Sequence, residues 1–195
     1  MNPLKEFFAT FDWNAFLQQF LYDSKNPLLF NNGFFVYFFT LFILLFFALR
    51  NHHKARRYVF CLFSLYFFYK ASGWFVGLVL ISAVVDFFLS NAIYREESKS
   101  KKKFLLVLSI LFNLGMLFYF KYTDFFIEIS NSLFDTNFNP LNLILPIGIS
   151  FYTFENLSYT VDVYRGEFKP ADKFSDYLLF LAFFPKLMMG PIVRA

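Results

Sequence analysis

WFVGLVLISAVVDFFLSNAIY, residues 74–94, is followed by the knot REESKSKKK, residues 95–103, and then by FLLVLSILFNLGMLFYF, residues 104–120. The stretch reads as two membrane-crossing helices joined by a charged turn. A hydrocarbon core of roughly 30 Å calls for about 17–25 predominantly apolar residues at about 1.5 Å of rise each. Residues 74–94 meet that length with one charge, Asp86, and residues 104–120 meet it with none. Strands are excluded: open strand edges cannot be satisfied in lipid, and the alternation of a membrane barrel is absent.

The rest of the chain is written the same way. Its 195 residues are 58% hydrophobic, 25% aromatic and 16% charged, with 35 Phe and a mean hydropathy of +0.49. A soluble domain carries about 45–50% apolar and about 25% charged residues. The net charge of +4 arises from basic residues lying between apolar runs. They therefore serve as topology signals, and a nucleic-acid surface is excluded. Cys61 is the single cysteine, so no disulfide or cysteine metal site forms within one chain. The first residues carry no basic cluster, so the transmembrane helices are expected to direct insertion themselves.

Outward from residues 74–120, further apolar runs occur at 31–49, 58–69, 141–164 and 177–193. Run 58–69 is too short to span alone, at roughly 18 Å as a helix, and pairs with 74–94 as a hairpin. Gly73 and Gly77 form a GxxxG pattern that could let helices approach closely. Residues 121–139, with Asp124, Glu128 and Asp135, read as an acidic loop, and 165–176 as a second charged loop. Residues 1–25 read as an interfacial extension, and 26–195 as one transmembrane domain. Cytoplasmic loops collect Lys and Arg. Placing Arg50, Lys54, Arg56 and Arg57 on the same side as the 95–103 knot puts the N-terminus and the acidic loop outside. About five crossings then precede Arg165. The fold class is all-α: a polytopic transmembrane helix bundle of about five to six spans, some short or broken.

Charges inside apolar runs are costly and face a partner or a cavity. Asp86, Glu155 and Asp162 are such residues and are candidates to line a polar tunnel; Lys70 is expected to snorkel to the surface. His52 and His53 sit in a basic knot as solvated loop residues, a poor metal site and a poor base. Ser150 lacks a GxSxG setting, and no glycine-rich phosphate loop is present. The sequon at Asn156 falls inside an apolar run and is a coincidence. LPIGISFYTFENLSYTVDVYRGE (145–167) and FFPKLMMGPIVR (183–194) place Pro and Gly in apolar surroundings. Such breaks are tolerated in a membrane where the freed backbone lines a cavity or is buried in protein.

These two segments resemble the membrane-bound O-acyltransferase family, in the bacterial branch of the alginate O-acetylase and the teichoic acid D-alanyl transfer protein. LFNNGFFVYFF (29–39), SLYFFY (64–69) and FKY (120–122) resemble it as well. The resemblance implies transfer of an acyl group, acetyl in this branch's polysaccharide-modifying members, from an acyl-CoA or acyl-carrier thioester to a hydroxyl. It implies a tunnel across the membrane and a catalytic histidine that follows the GPIVR segment. It implies a bacterial inner-membrane location, and acyl-carrier or polysaccharide-modification proteins as partners besides membrane lipid. Asp162, Arg165 and Arg194 match the DVYRG and GPIVR segments and are candidates for the donor side. No catalytic, cofactor or metal residue is carried over. The chain is thus expected to be an N-terminal portion that is inactive alone. A non-catalytic membrane scaffold and a small transporter are the alternatives.

Overall fold

A computed structural model of the chain describes residues 18–25, 27–28 and 33–187. Within them every regular element is a helix: α1 Gly33–Ala48, α2 His53–Ser72, α3 Val76–Arg95, α4 Lys99–Phe134, α5 Ile149–Arg165, α6 Phe174–Ala182 and α7 Phe184–Leu187. Two helical stretches are long and apolar enough to cross a membrane, His53–Arg95 and Lys99–Phe134. The shorter α1 is the most apolar helix and exposes most of its residues.

The stretch His53–Arg95 folds back on itself at Gly73–Phe75, a single 3₁₀ turn. Gly73 has φ +62°, a conformation that costs other residues their Cβ clearance. A Cβ there would also lie 2.7 Å from the Tyr22 ring, whereas Gly77 has open space. The GxxxG expectation therefore fails: Gly73 makes a turn, and a Cβ at Gly77 would meet no described residue within 4 Å. α2 reaches 20 residues because it starts within the basic knot, at His53 rather than at Tyr58.

Helix ends sort to two sides of the bundle. At one side Arg57 of α2 pairs with Asp176 of α6. Lys102 of α4 lies 5.6 Å from the Tyr164 ring of α5. Arg95 of α3 shares a cavity wall with Asp172. At the other side the Ile147 amide donates to Ser72 Oγ (3.2 Å), and Phe75 meets Phe120 edge-on at 5.9 Å. Lys70 is buried there and donates to the carbonyls of Gln19 (2.7 Å) and Leu21 (2.6 Å), so it holds the preceding segment instead of snorkelling.

The acidic stretch differs from its loop expectation. α4 continues past Phe120 to Phe134, roughly 20 Å further at 1.5 Å per residue. Residues 135–147 return alongside it without regular structure. Asp124 accepts the amides of Leu141 (2.7 Å) and Leu143 (3.3 Å), and Asn131 accepts from Phe138 N and Thr136 Oγ1, both at 2.9 Å. Pro146 and Gly148 precede α5 instead of bending it, so helix 141–164 becomes 149–165. Gly166 (φ +78°) ends α5 in a Schellman motif: the Gly166 amide bonds Val163 O (3.1 Å) and the Glu167 amide bonds Asp162 O (3.0 Å).

Two apolar clusters fill the bundle. One joins α2, α3, α4, α5 and α6 around Val79, Ala83, Tyr152 and Leu181. The other is almost wholly aromatic and joins α1, α2 and α7, with Phe184 at its centre. The Phe184 ring lies within 5.1–5.7 Å of Phe38, Phe42 and Phe67. The FFPK segment thus buries Phe184 in this cluster.

Candidate functional site

The polar residues of the bundle converge at the junction of α3, α4, α5 and α6. Ser82 and Asp86 are four apart on α3, as are Ser109 and Asn113 on α4, so each pair shares a helix face. Ser109 Oγ donates to Asp86 Oδ1 (2.5 Å) and Asn113 Nδ2 to Asp86 Oδ2 (2.7 Å). Asn113 Nδ2 also reaches Ser109 O (3.0 Å). On α5, Asn156 Nδ2 donates to Asn113 Oδ1 (3.2 Å) and Ser82 Oγ (3.0 Å). Tyr177 of α6 donates its hydroxyl to Asn156 Oδ1 (2.5 Å). All six side chains are buried. Donors and acceptors match throughout for a carboxylate at Asp86, so the network is closed and holds four helices in one register.

On α5, next to this network, Glu155 Oε1 pairs with Lys186 Nζ of α7 at 3.1 Å. The Lys186 ammonium also lies 3.9 Å from the centroid of the Phe180 ring. This pair ties LPIGISFYTFEN to FFPK, the two segments that carried the family resemblance. The buried hydroxyls of Tyr152, Thr153 and Thr160, all on α5, have no hydrogen-bond partner among the described residues.

The five candidate residues are therefore distributed. Asp86 is wholly buried in the network, and Glu155 is buried in the ion pair. Asp162 is buried near the end of α5, and Arg165 is exposed at that end. Arg194 lies outside the described residues. Asp86 and Glu155 approach one another through the adjacent Asn156, whereas Asp162 and Arg165 stand at the basic side. Sequence reasoning passed over Ser82, Ser109, Asn113, Asn156, Tyr177 and Lys186. The usable signal was the four-residue spacing of small polar residues around Asp86 within apolar runs. His52 and His53 are exposed; the His53 ring Nδ1 sits 3.3 Å from Arg56. Among the described residues no three His, Cys, Asp or Glu side chains gather. Among the described residues the arrangement fixes a buried carboxylate within a closed network of polar side chains.

No protein-family model matches the chain, and no solved structure matches it. Curated proteins do. A peptidoglycan O-acetyltransferase of Helicobacter pylori is 31% identical over 155 residues, covering 67% of this chain and 29% of that protein. A probable alginate O-acetylase of Azotobacter vinelandii is 34% identical over 167 residues, covering 80% of this chain and 33% of its own length. Its counterpart in Pseudomonas aeruginosa is 41% identical over 93 residues, covering 46% and 18%. The chain spans a third or less of the length of these relatives. With its helical, apolar architecture and these matches, the chain belongs to the membrane-bound O-acyltransferase family, in the branch of the alginate and peptidoglycan O-acetylases.

Proposed function

We propose that this chain forms part of the wall and scaffold of a bacterial inner-membrane O-acyltransferase that moves an acyl group, acetyl first, from a thioester donor to a hydroxyl of a cell-surface polysaccharide. The observation that carries the reading is the joining of the two motif segments by Glu155 and Lys186, with Asn156 held by Tyr177 on the helix just before the second, in a chain whose relatives acetylate alginate and peptidoglycan. An acyl thioester, on coenzyme A or a carrier protein, is the donor; polysaccharide-modification proteins are the partners. The chain's histidines, His52 and His53, are exposed at the basic side, so these residues by themselves supply no buried base and no turnover. Five to six crossings, with the N-terminus outside, agree with the gathering of basic helix ends at one side of the bundle.

The test is a chimera. The segment of the Pseudomonas aeruginosa alginate O-acetylase that matches this chain is replaced by this chain's residues, and alginate acetylation is measured in a strain lacking the parent gene. Acetylation above about a tenth of the parental level is expected, and Arg194→Ala in the chimera should lower it at least tenfold, a loss of about 1.4 kcal/mol of transition-state stabilisation. An inserted, helical chimera with no acetylation would refute the wall reading. Normal turnover by the Arg194→Ala form would remove that residue from the site.

A further inference from the structure

Besides the Arg95–Asp172 cavity, three features stand outside the polar network and the ion pair. One is an aromatic groove of about 390 Å³ on the Lys70 side. Another is the overhang of α4 with its returning strand of chain. The third is a cavity of about 390 Å³ on the basic side, between the end of α1, the start of α2 and α6. The third joins two chemistries in one place. Its rim carries Arg56, Arg57 and His53, and its wall is made by Phe46, Phe60 and Leu179. The Phe46 and Phe60 rings stack at 5.6 Å and 6°. The Arg56 guanidinium lies 5.6 Å from the Phe46 centroid, which holds it over the mouth. Arg57 is already paired with Asp176 of α6. Arg56 carries a positive charge and sits 3.3 Å from the His53 ring Nδ1. Arg50 and Lys54 flank the same corner, both exposed.

We propose that this cavity is a binding site for one anionic glycerophospholipid. Its phosphodiester meets Arg56 and the α2 start, and the first methylenes of an acyl chain lie against Phe46, Phe60 and Leu179. A planar guanidinium matches phosphate oxygens bidentately. Basic pockets between helices on the cytoplasmic side suit anionic headgroups, and the volume falls in the roughly 300–1,000 Å³ range of ligand pockets. A free anion would use the rim alone; the stacked aromatic wall is what selects a lipid. The lipid would fasten α1, which packs on α2 mainly through the aromatic cluster, to α2 and α6 at the membrane surface.

The inference rests on the membrane reading, so two measurements separate them. Resistance of the full chain to carbonate extraction reports membrane embedding. Native mass spectrometry of the same chain in neutral detergent, titrated with phosphatidylglycerol, phosphatidylcholine of equal acyl chains, or inorganic phosphate, reports the site. One tight phosphatidylglycerol equivalent is expected. Arg56→Ala should weaken it roughly tenfold, as loss of a charge-assisted contact does. Lys103→Ala, which removes the same charge from the same side, should change it less than about twofold. Leu179→Trp fills the cavity without altering charge and should abolish the tight equivalent, so the proposal stays testable if Arg56→Ala misfolds. Equal binding of phosphatidylcholine, equal weakening by both charge removals, or displacement by inorganic phosphate at matching concentration would each overturn it.

Discussion

Asp86 shows how one carboxylate can be kept inside an apolar bundle. Its two oxygens receive Ser109 and Asn113, and Asn156 and Tyr177 extend the network to two more helices. Removing one member leaves its partners buried and unpaired, at a cost of about 1–3 kcal/mol each. Asp86→Leu strands two donors and should lower stability by about 2–4 kcal/mol in reversible unfolding from detergent, whereas Asp86→Asn should cost about half as much. Asn113→Ala and Asn156→Ala share one bond, so a double-mutant cycle should give a coupling energy of about 0.5–1.5 kcal/mol. Additive losses would show that the two residues act separately. The sequence flagged Asp86 through its charge and offered the Ser109–Asn113 spacing, but that Asn113, Asn156 and Tyr177 meet Asp86's network is decided by three other helices.

The turn between α2 and α3 tests a rule about helices. Gly73 and Gly77 look alike in a GxxxG reading, yet their surroundings differ. Gly73→Ala must adopt φ +62° and displace Tyr22, and should cost about 2 kcal/mol or more. Gly77→Ala meets open space among the described residues in the first turn of α3 and should be neutral or stabilising by up to about 1 kcal/mol. Thermal melts of the two variants in the same detergent check the pair; similar losses would restore a helix-packing role for Gly77. Element existence was readable from apolar runs and Pro or Gly punctuation. Boundaries were not. The stretch 121–134 stays helical because the helix already begun at Lys99 is extended by Asp124 and Asn131, whose side chains bind the returning chain. Those bonds are long-range and leave no local trace.

The assembled molecule has a basic side, where α2, α4 and α6 begin and α3 and α5 end, and an opposite side marked by Lys70, Gly73 and Phe120. If the basic side is cytoplasmic, single cysteines at Ser98 and Lys169, in a Cys61→Ser background, should react with an impermeant maleimide only after the inner membrane is opened. Cysteines at Trp74 and Asn137 should react in intact spheroplasts. The reverse pattern would invert the topology, and a mixed pattern would break the hairpin.

Composition, run length and the placing of Lys and Arg determined that this is a helical chain for a membrane, because hydration of backbone and charge is a local property of each segment. The ordered Pro, Gly, Asp and Arg of residues 145–194 determined the family. Tertiary structure alone established that Asp86 meets α4, that Glu155 meets Lys186 and that Phe184 enters the aromatic cluster. Each of these depends on helix rotation and relative height, set by side-chain packing between segments distant in the chain, which no local pattern encodes.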